Sequence, residues 1–236
     1  MNTVHTNTIY LVRHGENPAN LTHEFSYKAV DYSLTPKGRL QAQQTAAYFS
    51  QQPTINAIYA SPLKRARETA EAIGDALQLP VTIIEEFREI NIGDLEGKEP
   101  SHENWEYHNK IVQQWFNGHK EIAFVGGENY YTLLARLKAG LLEATRNRNG
   151  QRIIIVGHGG IFTRTMPDLC PTMDIEELIR VDNYNCAVTE IELTTSGEKV
   201  EGIMKRWASC AHLHGEAAAV VTGLAPFGSV EESQLQ

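Results

Sequence analysis

Short, unbroken apolar runs alternate along this chain with longer stretches in which apolar residues recur every three or four positions. Residues 9–12, 57–60, 81–84 and 153–156 are the short runs and predict strands. The run Ile-Ile-Ile-Val at 153–156 has no polar face, the pattern of a strand buried on both sides of a parallel sheet. Thr35 before Pro36 predicts a helix start, continued over 37–50 by Leu40, Ala47 and Phe49. Ser61 before Pro62 repeats the signal ahead of a helix over 63–78 with Leu63, Ala66, Ala70, Ile73 and Leu77 on one face. A longer helix fits 128–146 with Leu133, Leu134, Leu137, Leu141 and Leu142 inward. Another is expected after Gly157-His158-Gly159-Gly160, and two later strands fit 187–193 and 199–207. Strands and helices in alternation predict an α/β fold, a three-layer sandwich with a mostly parallel central sheet flanked by helices.

Residues 98–127 break this rhythm and predict a small helical insert. Seven of the nineteen aromatic residues fall between 98 and 131. Most are expected to form the insert's own core, with two or three lining a pocket mouth, and Trp105, Tyr107 and Trp115 are the first candidates. The remainder of 1–215 is expected to form one domain. Residues 216–236 hold three Glu and no Lys or Arg, which predicts a loosely held extension.

His14 follows one predicted strand and His158 another. Parallel sheets bind ligands at the carboxyl ends of their strands, so both imidazoles are candidates for one crevice. A lone loop histidine is more often structural, but two in matched settings beside Arg13 favour function. A glycine after each, Gly15 and Gly159, allows close approach of backbone and ligand. Arg65 lies at a predicted helix start, where anions are favoured. Lys64, Arg65 and Arg67 can equally form a solvated face, with one or two of them expected to do so. Glu89 is a candidate proton donor among many acids that must be surface residues.

Together these residues resemble the histidine phosphatase superfamily, in the branch that includes cofactor-dependent phosphoglycerate mutase. The resemblance rests on Leu11-Val12-Arg13-His14-Gly15-Glu16 with Asn20, on Leu34-Thr35-Pro36-Lys37-Gly38, and on the segment from Ser61 to Ala70. It continues through Glu89 with Gly93 and Leu95-Glu96-Gly97, Gly126-Gly127-Glu128, and Gly157-His158-Gly159-Gly160, in order over roughly 8–210. It implies that His14 takes the phosphoryl group as a phosphohistidine, that Arg13, Arg65 and His158 bind the phosphoryl oxygens, and that Asn20 donates to them. Glu89 would protonate the departing oxygen and then activate water. The insert would cap the site. No metal and no cofactor is implied, because the arginines supply the positive charge.

Three departures matter. Asn17 replaces the family's usual Thr and can still donate to phosphate. Asn129 stands where Ser is usual. Ile90, Asn91 and Ile92 follow Glu89, where the mutases carry an Arg that grips a carboxylate-bearing phosphoglycerate. This favours a phosphomonoesterase acting on a small phosphorylated metabolite. The alternatives are a cofactor-dependent mutase-like phosphotransferase and a non-catalytic phospholigand-binding relative.

Composition narrows the picture. The 236 residues carry a formal net charge of −8, against a nucleic-acid partner and requiring a locally basic phosphate site. No apolar run is long enough to span a membrane. No basic segment followed by an apolar one opens the chain, and three cysteines (Cys170, Cys186, Cys210) are an odd number without paired spacing. A cytoplasmic protein with free thiols is expected. His212 and His214 have ligand-like spacing, but no third ligand joins them in sequence. The oligomeric state is left open; a homodimer would have the apolar run 217–221 as a candidate contact.

Overall fold

A computed structural model describes residues 3–220. Its elements in chain order are β1 (Val4–Arg13), α1 (Pro18–Thr22), α2 (Pro36–Ser50), β2 (Ala57–Ala60), α3 (Lys64–Leu77), β3 (Val81–Ile83), α4 (His102–Phe116) and α5 (Tyr130–Ala144). They continue with β4 (Arg152–Gly157), α6 (Gly159–Leu169), α7 (Ile175–Arg180), β5 (Val188–Ser196) and β6 (Lys199–Ser209). The six strands form one sheet in the order β3-β2-β4-β1-β5-β6. The first four are mutually parallel, while β5 and β6 add on antiparallel beyond β1. The sheet is therefore mostly parallel, as expected, with its first four strands parallel and the last two antiparallel. The reason is local: Ser196 pairs with Lys199 across a two-residue turn in which Gly197 takes φ 61°. So short a link joins antiparallel neighbours, whereas parallel strands need a crossover.

The period-2 geometry of the strands sorts their side chains into two cores. Ile9, Leu11, Ile153, Ile155, Ile191 and Leu193 face α4, α5 and α6. Tyr10, Val12, Ile58, Ile154 and Val156 face α2 and α3. Ile153 to Val156 are all fully buried because β4 lies between β1 and β2 with helices on both faces. These are the three layers that the apolar runs predict.

Thr35 caps α2, accepting the Gly38 N–H at 3.0 Å. Ser61 does not cap α3: that helix starts after Leu63, without a side-chain cap, and the Ser61 hydroxyl is turned to His158 instead. The helix expected over 128–146 begins at Tyr130, because Asn129 closes a reciprocal cap with Thr132 and Glu128 is drawn to Arg136 at 2.7 Å. Leu133, Leu137 and Leu141 are fully buried, Leu134 and Leu142 partly so.

The start of the presumed extension is packed. Residues 215–218 form a 3-10 turn; Ala217 is buried with Cys186 and Leu213, while Ala218 and Ala219 of the same apolar run are exposed. Residues 221–236, the rest of that segment, lie outside the described residues. The three cysteines are free thiols. No helix among the described residues is long and apolar enough to cross a membrane.

Gly15 and Gly38 bring the loop after β1 against the start of α2. A Cβ on Gly15 would sit 2.6 Å from the Gly38 carbonyl oxygen, and one on Gly38 would collide with the Glu16 carbonyl. Gly38→Ala should therefore destabilise the fold by about 1–3 kcal/mol, read as a lowered denaturant midpoint. An unchanged midpoint would show that this approach can relax freely.

Candidate active site

β1 and β4 are parallel neighbours with Arg13 opposite Gly157, so the two histidines that follow emerge at the same end of the sheet. The His14 N–H donates to the Gly157 carbonyl at 3.0 Å, and the two imidazole centroids lie 5.2 Å apart. His14 is 4% exposed. Its Nδ1 is 2.7 Å from the Gly15 carbonyl, which can only accept, so Nδ1 carries the proton and Nε2 keeps its lone pair. Arg65 Nε lies 3.2 Å from that Nε2 and donates to it. Burial, then Arg65 and Arg13, push the His14 pKa well below 6.5, leaving the ring neutral at pH 7.

Arg65 is buried on the first turn of α3, while its neighbours Lys64 and Arg67 are exposed. Its terminal nitrogens donate to the Ser26 hydroxyl at 2.9 Å and the Ser26 carbonyl at 3.1 Å. Ser26 is held by its own loop, whose backbone N–H groups at Tyr27, Lys28, Ala29 and Val30 all converge on one oxygen of Glu96. Burial lowers the Arg65 pKa to about 10, so it remains cationic at neutral pH. Arg13 donates from one terminal nitrogen to the Asn183 carbonyl at 2.6 Å. Asn17 and Asn20 close a reciprocal cap on α1, and Asn185 donates to both the His14 carbonyl and Asn20 Oδ1.

This network leaves particular donors over. Arg13 Nε and Asn17 Nδ2 are buried without a partner among the described residues. An unsatisfied buried donor costs about 1–3 kcal/mol, so a cluster of them beside a neutral imidazole suits an oxyanion. Nδ1 of His158 is a third. The Leu63 N–H donates to the Ser61 hydroxyl at 3.4 Å, and that hydroxyl stands 2.7 Å from His158 Nε2. With the hydroxyl donating to Nε2, the imidazole proton is left on the unpartnered Nδ1. Burial, then Arg65 and His14, lower the His158 pKa well below 6.5.

Glu89 reaches the start of α6. Oε1 accepts the N–H groups of Ile90 at 2.9 Å and Ile161 at 2.7 Å, and Oε2 accepts only Gly160 N–H, at 2.9 Å. A Cβ on Gly160 would lie 2.6 Å from Oε1, and one on Gly159 would lie 3.2 Å from Arg13 Nε.

A cavity of about 500 Å³ opens here, lined by Arg13, His14, Asn17, Asn20, Arg65, Glu89 and Gly159. His158 is fully buried beside His14, its unpartnered Nδ1 the atom left for a ligand. Of the aromatic candidates only Trp105 lines the cavity, joined there by Phe25, His108 and Phe116. Trp115 is buried and donates to the Ile122 carbonyl, while the Tyr107 hydroxyl accepts the Val125 N–H. Ser26, Asn183 and Asn185 carry no sequence signal that separates them from ordinary loop residues. Among the described residues no group of three His, Cys, Asp or Glu side chains is placed to hold a metal ion.

The neutral histidines make stability depend on pH. His14 and His158 have lowered pKa values, and His108 and His212 are pushed down to about 4, in each case chiefly by burial. The unfolded chain then binds more protons than the folded one below pH 6.5, so stability is full above that value and falls as pH drops. His14 and His158 should each cost about 1 kcal/mol between pH 7 and 5.5, with the other two adding in the same sense. Denaturant midpoints that stay flat over this window would contradict the neutral assignment.

Comparison with known proteins fits this geometry. The sequence profile of the histidine phosphatase superfamily (branch 1) matches residues 9–205. An uncharacterized phosphatase, PhoE, of Bacillus subtilis is 32% identical over 161 residues, covering 68% of this chain and 76% of that protein. A probable phosphoglycerate mutase, GpmB, of Escherichia fergusonii is 28% identical over 218 residues, covering 89% and 96%. The crystal structure of phosphoserine phosphatase from Entamoeba histolytica in complex with 3-phosphoglyceric acid superposes with a TM-score of 0.69 at 25% identity, covering 88% of this chain and all of that one.

Proposed function

This chain belongs to branch 1 of the histidine phosphatase superfamily and is a hydrolase of that family; we propose that it hydrolyses a small phosphorylated metabolite through a phosphohistidine formed on His14. The observation that carries this is the fixed tautomer of His14: the proton on Nδ1 is held by the Gly15 carbonyl, and Nε2 offers its lone pair beside Arg65. Nε2 attacks phosphorus as the ester P–O bond breaks. Arg65 Nε transfers its hydrogen bond from the imidazole to a phosphoryl oxygen, and Arg13 Nε, Asn17 Nδ2 and His158 Nδ1 supply further donors. Asn20 takes a supporting place, because its Oδ1 is spent on the Asn17 N–H and on Asn185. Glu89 hands its proton to the departing oxygen, and Oε2 is the atom placed to carry it, having one backbone contact where Oε1 has two. Water then attacks phosphorus, gives its proton to Glu89, and the P–N bond breaks.

The phosphatase is preferred to a mutase because Ile90 replaces the carboxylate-gripping arginine and turns its apolar side chain to the cavity. The phosphatase relative and the phosphoserine phosphatase structure support the same choice. The test is a quench of enzyme turning over labelled phosphomonoester. Acid-labile, alkali-stable label on the protein and release of inorganic phosphate are expected, both insensitive to EDTA. Efficient 2,3-bisphosphoglycerate-dependent interconversion of phosphoglycerates would assign a mutase instead. Activity lost to EDTA and restored by a metal would overturn the mechanism.

A further inference from the structure

Three guanidinium groups line the cavity, those of Arg13, Arg65 and Arg164. The first two are tied into the phosphoryl cradle by Asn183 and Ser26. Arg164 is different. It is half-buried on α6 and lies over the Phe116 ring, 5.4 Å from the centroid, yet it makes no hydrogen bond or ion pair with any described residue. Glu89 and Asp182 are the acids in whose field it lies, and neither closes an ion pair with it. Glu89 is occupied by three backbone N–H groups, and Asp182 shares the cavity wall without closing a salt bridge. Lys120, beyond Phe116 in an adjoining smaller cavity, is already neutralised by Asp168 at 2.6 Å. His108 contributes no charge at neutral pH, since burial pushes it down to about 4. A desolvated arginine without an anion is costly, and a planar guanidinium is suited to a carboxylate.

Arg164 also sits in a defined relation to the chemistry. It lies four residues after Gly160, whose N–H holds Glu89, and so one turn further along the same face of α6, about 6 Å by helical rise. One helix thus carries both the support for the proton donor and a free cation beside the space for the leaving group.

We propose that Arg164 binds a carboxylate on the leaving-group side of the substrate, so that the preferred substrates are small phosphomonoesters that also carry a carboxylate. A single cation with Asp182 nearby matches one negative charge better than the two of a second phosphate. The position is not the one next to Glu89 that the mutases use, which here is Ile90; the carboxylate grip has moved to another element. This inference rests on the phosphatase reading of the site.

The test compares matched pairs: 3-phosphoglycerate with glycerol 3-phosphate, O-phosphoserine with phosphoethanolamine, and fructose 1,6-bisphosphate with fructose 6-phosphate. Wild-type kcat/KM should favour the carboxylate member of the first two pairs by about 10- to 100-fold. Arg164→Gln should collapse that ratio towards one, and Arg164→Lys should restore part of it. Calorimetric binding of the first pair to His14→Ala protein reads the same selectivity without turnover. No hydrolysis of any ester would overturn the phosphatase reading, whereas equal binding and equal turnover within pairs would overturn the role of Arg164 alone. A ratio unchanged in Arg164→Gln, or a preference confined to the bisphosphate pair, would also overturn it.

Discussion

Replacing His14 by alanine should lower phosphate release by on the order of 10⁴-fold or more and abolish the covalent label. The size follows from the lack of a substitute nucleophile. His158 is the other imidazole nearby, but with Nε2 engaged by the Ser61 hydroxyl and the proton on Nδ1 it has no free lone pair to attack phosphorus. Arg13 and Arg65 are cations and cannot attack phosphorus. The truncation also removes the acceptor for Arg65 Nε, so phosphate and its analogues should still bind: two guanidinium groups and the Asn17 amide remain. The measurement pairs single-turnover phosphate release with vanadate or phosphate affinity in the same variant. Retained affinity with lost turnover and lost label is the expected result. Turnover within tenfold of wild type would remove His14 from the mechanism.

The legible part of the site was backbone-borne. His14 and His158 each follow an apolar strand, and a parallel sheet brings such positions to one end. Arg65 was legible as a candidate but not as the one of three, because Lys64 and Arg67 carry the same charge on the same helix; burial separates them, and burial depends on the Ser26 loop packing from elsewhere in the chain. Ser before Pro is a genuine start signal, so the sequence at Ser61 predicts a cap, and only the approach of His158 shows that the hydroxyl is used otherwise. The same limit applies to the aromatics. Spacing along α4 cannot tell that Trp105 and Phe116 meet the cavity while Trp115 turns to the Ile122 carbonyl. Arg164 was invisible for a related reason. On a helix, a polar position facing a cavity and one facing solvent look alike, and the difference lies in Phe116 and Asp182, which are remote in sequence.

Glu89→Gln should separate the two halves of the reaction. An alkyl ester leaves as an alkoxide and needs a proton, so its turnover should fall by about 10²–10⁴-fold. p-Nitrophenyl phosphate leaves as a stabilised phenolate and needs little help, so the first step should persist. Hydrolysis of the phosphohistidine requires Glu89 as base for either ester. A burst of nitrophenol stoichiometric with enzyme, followed by a slow steady state and accumulated label on His14, is therefore expected. The substitution has a structural cost as well, because an amide nitrogen cannot accept the Gly160 or Ile161 N–H groups that now converge on the carboxylate. That cost alone would slow both esters alike and give no burst. Unequal loss between the esters, with accumulation of phosphoenzyme, identifies proton transfer; equal loss without accumulation would reduce Glu89 to an anchor for the start of α6.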